Sequence, residues 1–147
     1  MKHERTYLYV STVRKGMDGE AEAVFSGPGG LTVGPAPEFG GRPESLNPEE
    51  LFVAAINSCL MTTFFYFLRR ADIELQSYEA DAEGQVQKGS DGLRFVDVRV
   101  HATALVKEPS LAQKVTEIGE LAEKHCLVSH SVSCPVHYHL RVEMSEE

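Results

Sequence analysis

The feature that most restricts how this chain can fold is an apolar run without charge, Leu51 to Leu68, entered through Asn47-Pro48-Glu49-Glu50. Asn suits an N-cap, Pro fits the first helical position where its missing N–H costs nothing, and Glu50, three residues after the cap, can bond back to the cap's amide. These signals predict a helix from Pro48 to about Arg70. Its apolar residues keep to no single stripe, since Leu51 to Ile56 and Phe64 to Leu68 go all the way round, and a helix apolar on every side must be enclosed on every side. One domain of 147 residues can hardly do that alone, so a homodimer is expected. A bilayer would also enclose such a helix, but the 18 residues are at the lower edge for crossing one and include Asn57, Ser58, Thr62 and Thr63. A buried helix, and no membrane partner, is the expectation.

The flanks read as strands and turns. Tyr7 to Val13 and Glu20 to Phe25 carry β-formers on either side of Lys15-Gly16-Met17-Asp18-Gly19, a hairpin pattern. Gly27-Pro28-Gly29-Gly30 is a second break, Leu31 to Val33 a short strand, and Gly34 to Asn47 an irregular loop long enough to be suspected of function. After the helix, Glu79 to Gln87 and Arg94 to Val106 flank the turn Lys88-Gly89-Ser90-Asp91-Gly92. Along the second of these strands Val96, Val98, Val100, Ala102, Ala104 and Val106 alternate with polar residues, which predicts a two-faced antiparallel hairpin. Ser110 to His125 sets Leu111, Val115, Ile118 and Ala122 at helical spacing. The last strand puts Val136, Tyr138, Leu140 and Val142 on one face and His137, His139, Arg141 and Glu143 on the other. The order is β-β-β-α-β-β-α-β, one α+β domain over residues 1–147.

Charge and cysteine usage narrow the class. Lys and Arg number 14 against 22 Asp and Glu, a balance of −8 with no basic cluster, so nucleic acid would meet net repulsion. Met1 to Tyr9 lacks the apolar run of a signal peptide, and the three cysteines, Cys59, Cys126 and Cys134, are odd in number and far apart, unlike a secreted disulfide framework. A cytoplasmic address is expected. A lone Cys in an apolar helix is ordinarily an inert core residue. Cys126, however, follows Ala122 by one turn and falls on the apolar face of the second helix, so two thiols are aimed at one interior.

These residues resemble the OsmC/Ohr proteins, thiol-dependent peroxidases acting on organic hydroperoxides. Asn47-Pro48-Glu49-Glu50-Leu51-Phe52, then Ala54-Ala55 and Cys59, is similar to that family's helix signature, including the ten-residue step from Glu49 to Cys59. The element order matches over nearly the whole chain. The resemblance implies an OsmC-like fold, with antiparallel sheets packed around central helices in an intertwined homodimer. In the family the second cysteine follows the second long helix in a Cys-Pro-Val-Ser-like run; Cys126-Leu127-Val128-Ser129 is similar, with Leu in place of Pro. The resemblance therefore carries the resolving role to Cys126 rather than to Cys134, which opens the last strand.

The family mechanism also uses a Glu and an Arg. Glu49 matches by motif. The Ohr branch carries its Arg in a turn where this chain has Met17, whereas the OsmC branch has an Arg shortly before the helix, which Arg42 resembles; Arg14 is the reserve. Glu49 and Cys59 are about 15 Å apart along one helix, too far for one hydrogen-bond network, so a shared site would draw them from different subunits at a two-fold interface. Chemically, the Cys59 thiolate would attack the distal peroxide oxygen, releasing an alcohol and leaving a sulfenic acid that Cys126 condenses to a disulfide. Phe39, Phe52, Met61, Phe64 and Phe65 offer apolar lining suited to an alkyl or fatty-acyl hydroperoxide. The resemblance implies reduction by a dithiol such as a lipoylated protein, without a bound cofactor.

Two rival readings belong to other classes. His125, Cys126, His130, Cys134, His137 and His139 crowd the C-terminal segment with zinc-type ligands, but their spacing fits no compact knuckle, and solvated histidines with no metal site are expected. An OsmC-like fold kept for binding, with little peroxidase turnover, is the other, because Met17 and Leu127 depart from the family pattern.

Overall fold

The computed structural model describes residues 4–17, 20–27 and 29–145. Asp18 and Gly19 of the first predicted turn, Pro28 of the second, and Met1 to His3 of the N-terminal segment lie outside the described residues. The chain divides into two compact units, one up to Leu51 and one from Phe52 onward.

The first unit is a three-stranded antiparallel sheet of β1 (Ser11–Arg14), β2 (Glu22–Phe25) and β3 (Gly30–Thr32), in that order. Pairing starts only at Ser11, so the exposed Tyr7 to Val10 lie before the strand and not within it. Hydrogen bonds only join β1 to β2 from Ser11–Phe25 to Arg14–Glu22, so extended propensity upstream finds no partner strand in this unit. The long loop that follows is pinned at its far end: Val33 bridges Leu46 in parallel, and the Gly34 N–H donates to the Leu46 carbonyl over 2.9 Å. Within it Pro37–Phe39 makes one tight turn, which the Gly41 N–H closes onto the Ala36 carbonyl at 3.0 Å. The backbone of Pro35 passes so near Gly41 that no β-carbon fits there.

Helix α1 spans Pro48–Arg70, as its start signals predict. The Glu50 N–H donates to Asn47 Oδ1 at 2.8 Å, and the Asn47 side-chain amide returns a bond to Glu50 Oε1 at 2.6 Å, closing both ends of the cap. By length and composition α1 is long and apolar enough to cross a membrane. In the fold, one row at i, i+4 spacing, Ile56, Leu60, Phe64 and Leu68, is buried. Ala54 and Ala55 are exposed and Phe52, Val53, Met61, Phe65 and Phe67 only half-buried, so a single chain covers one stripe of an all-round apolar helix.

The second sheet has the order β4-β5-β6, with β4 at Ser77–Gly89, β5 at Gly92–Val106 and β6 at Val136–Met144. Strands β4 and β5 form the long predicted antiparallel hairpin, and from Val98 to Val106 every second residue of β5 is buried. The alternation fails at Val96. Gln85 faces Asp97 but Val86 faces Phe95, which leaves Val96 as an extra bulge residue and turns Phe95 toward α1. Its ring stacks on Phe52 at 4.4 Å between centroids.

The second sheet departs from an all-antiparallel arrangement, because β6 runs parallel to β5. Parallel neighbours need a crossover, and α2 (Ala112–His125) supplies it. This helix begins two residues later than predicted, after a tight turn at Pro109–Leu111, and buries Val115, Ile118 and Ala122. Gly119 brings its backbone against Leu140 of β6. A single-turn helix unforeseen in the sequence, α3 (Leu127–His130), follows.

Candidate active site

Cys59 lies midway along α1, half-buried, one helical step before Leu60 of the buried row. Cys126 is fully buried where α2 ends: its extended backbone, φ −68° and ψ 114°, breaks the helix, and the chain turns at once into α3. That turn carries the backbone back onto α1, so that the Val128 N–H donates to Cys59 Sγ at 3.5 Å. Thr63 Oγ1, one turn along α1, stands 3.9 Å from the same sulfur. Cys59 is a neighbour of Cys126, and both are free thiols.

Burial pushes the Cys126 thiol above its ordinary value; the Ser129 hydroxyl and backbone amide oppose this, and the neighbouring Cys59 adds to the rise. Cys126 is therefore a protonated thiol at neutral pH. Beside it runs a polar pair, buried Tyr138 and half-buried Tyr78, with hydroxyls 2.8 Å apart. Burial raises both phenols, so neither ionises in the physiological range. The Tyr138 N–H donates to Glu123 of α2 at 2.9 Å, which fixes β6 beside the helix that ends in Cys126.

The other expected site residues fall as follows. Glu49 sits in the first turn of α1, and its Oε2 is buried with no hydrogen-bond partner among the described residues. Arg42 belongs to the loop of the first unit, exposed, with its guanidinium paired to Glu20 and 3.9 Å from Glu44. Arg14 lies on exposed β1 opposite Glu22. Phe39 is exposed in its tight turn. Phe64 is fully buried in the core against Tyr78, at 5.6 Å between ring centres. Phe65 lines a cleft of about 390 Å³ with Leu68, Ile73 and Leu75, and Met61 is half-buried. Thr63, beside the Cys59 sulfur, lines a second cleft of about 280 Å³ with Tyr66, Phe67 and His125. Cys134 is buried just before β6. Among the described residues no three His, Cys, Asp or Glu side chains converge on a metal position.

Sequence reading missed Val128, Ser129, Thr63 and Phe95. The first two belong to the run after Cys126, and Thr63 is one turn from Cys59, so helical spacing was a usable signal for it. Phe95 depends on the bulge and had none.

An α+β chain with two small sheets, a capped apolar helix and a thiol pair at its core defines a class. The OsmC-like protein family model matches residues 41–141, and the chain belongs to the OsmC family. No curated protein matches. The fold is similar to that of an OsmC-like protein of unknown function from Vibrio cholerae, with TM-score 0.81 and 22% identity over 92% of this chain and 100% of that one. It is also similar to an organic hydroperoxide resistance protein OsmC from Legionella pneumophila, with TM-score 0.71 and 20% identity over 95% and 99%. A further similar structure is an organic hydroperoxide resistance protein from Elizabethkingia anophelis, with TM-score 0.73 and 19% identity over 97% and 100%.

Proposed function

We propose that the chain is a cytoplasmic, homodimeric thiol peroxidase that reduces organic hydroperoxides. The observation that carries this reading is the neighbourhood of Cys59 and Cys126, the first sulfur accepting the Val128 N–H and the second fully buried. The names of the hydroperoxide resistance proteins that share the fold support it.

In this reading the Cys59 thiolate attacks the distal oxygen of the hydroperoxide. The O–O bond breaks, the alkoxide leaves and takes a proton to become the alcohol, and Cys59 is left as a sulfenic acid. Cys126 then attacks the sulfenic sulfur; the thiol proton and the departing hydroxide form water, and a disulfide results. A dithiol, such as a lipoyl group carried on a protein, returns both thiols and is itself oxidised to a disulfide.

The dimer supplies what one chain leaves open. Several half-buried apolar side chains of α1, each stabilised by about 1.5–3 kcal/mol when fully buried, suit a second copy of this chain. Glu49 is ten residues, about 15 Å, from Cys59 along α1, so in this reading it reaches the Cys59 of the partner, with Arg42 as the cation that steadies the thiolate. In this reading the apolar substrate chain lies against the half-buried Phe52, Met61 and Phe65 of α1.

The direct test is consumption of an alkyl hydroperoxide with dihydrolipoamide as electron donor. Multiple turnovers that exceed those with hydrogen peroxide are expected. Binding of the hydroperoxide without turnover would sink the enzymatic reading.

A further inference from the structure

We propose that the outer face of the β4-β5-β6 sheet carries a transition-metal site, in which His101 and His139 chelate a divalent ion of the copper, nickel or zinc class. This face points away from the thiols and plays no part in the peroxidase reading.

The parallel register of β5 and β6 sets His101 directly opposite His139. Their exposed rings lie 4.9 Å apart between centres and within 17° of parallel. His137, two residues earlier on the same face, adds a third ring 6.3 Å from His139 at 14°. A first-row ion bonded to imidazole nitrogen at about 2.0–2.1 Å lies about 3 Å from each ring centre, so two rings sharing one ion stand roughly 5–6 Å apart. The observed spacings bracket that distance. The torsion that turns an imidazole is broad and nearly free at the surface, so the nitrogens can converge without moving the strands.

A carboxylate already sits behind one of the rings. Asp97 Oδ1 stands 3.0 Å from His137 Nε2, in ion-pair range but off hydrogen-bond alignment, and that oxygen is buried with no hydrogen-bond partner among the described residues. A carboxylate in this position orients an imidazole, so Asp97 steadies His137 beside the chelating pair. The local charge also favours a cation. Arg99 is tied to Asp97 at 2.7 Å and Arg141 to Glu143 at 2.9 Å, while Asp81 and Glu83 stand opposite His101 and Arg99 on β4. Two imidazoles open to water do not form the closed cage of a structural zinc site, and nitrogen ligands disfavour magnesium and calcium. An open bis-imidazole site suits Cu²⁺ most, then Ni²⁺ and Zn²⁺.

The test is calorimetric titration of the full chain with Ni²⁺, chosen because free thiols reduce Cu²⁺. One saturable ion per chain is expected, with affinity falling by at least about tenfold in His101→Asn and in His139→Asn, and by less in His137→Asn. Thermal melts of these exposed-site variants should match the parent, which separates lost binding from lost folding. Binding that survives the His101→Asn/His139→Asn double variant, binding lost in Cys59→Ser or Cys126→Ser, or no saturation below millimolar Ni²⁺ would each overturn the proposal.

Discussion

The amide of Val128 donates to the sulfur of Cys59, and Val128 is two residues beyond Cys126. One turn of backbone therefore positions both thiols. If Cys59 is the attacking group, Cys59→Ser abolishes peroxide reduction, since a serine hydroxyl is not ionised at neutral pH. Cys126→Ser keeps the first attack but strands the sulfenic acid, and mass spectrometry after excess peroxide should show two or three added oxygens on the Cys59 peptide. The oxidised parent should show a Cys59–Cys126 link, and Cys134→Ser should change neither result.

Burial and its raised pKa keep Cys126 as a thiol, and thiols alkylate far more slowly than thiolates. At neutral pH a short incubation with iodoacetamide should label Cys59 first, by peptide mapping. Raising the pH should close the gap, because Cys126 ionises only as pH passes its elevated value. Equal early labelling would contradict the assigned electrostatics.

The dimer reading makes a complementation test possible. Sedimentation should give a dimer at micromolar concentration. Refolding a mixture of Glu49→Ala and Cys59→Ser chains should restore one working site per heterodimer if the two residues act across the interface, whereas sites built within one chain would regain nothing.

Gly84 of β4 lies where α1 crosses the bulged hairpin. A β-carbon there would come within 2.7 Å of both Phe95 and Val53, and the Phe95 ring is itself held by its stack on Phe52. Gly84→Ala should cost about 1–3 kcal/mol by overpacking, read as a lower midpoint in urea.

Asp97 tests the outer face by pH. Its hydrogen bond from Arg99, with smaller help from the charges of Arg99 and His137, holds the carboxyl below its ordinary value. A folded-state pKa lowered in this way adds stability that is present above the unfolded value, near about 4, and is lost as pH falls through the folded one. The stability difference between parent and Asp97→Asn should thus shrink below about pH 4, measured by denaturant midpoints across pH.

What the sequence displayed was local. The Asn47 cap, the α1 span, the β4–β5 hairpin and the buried face of α2 all rest on spacing within a few residues, and each appears in the fold. The bulge at Val96, the parallel seating of β6 and the α3 turn depend on pairings between distant segments, which no window of sequence contains. The site divides the same way. Helical spacing aimed Cys59 and Cys126 into one interior, and the two are neighbours there. The ion pair of Arg42 with Glu20, and the exposure of Phe39, follow from how one loop folds and had no signature in composition.

Cys59 and Cys126 sit at opposite ends of a segment holding the second half of α1, the β4–β5 hairpin and α2. A bond between them would close a loop of about 70 residues and withdraw about 4 kcal/mol of freedom from the unfolded chain. The oxidant would then leave behind a tougher molecule than it met: each catalytic cycle would pass through a form armoured against unfolding, and the arriving dithiol would unlock the fold as well as the sulfur.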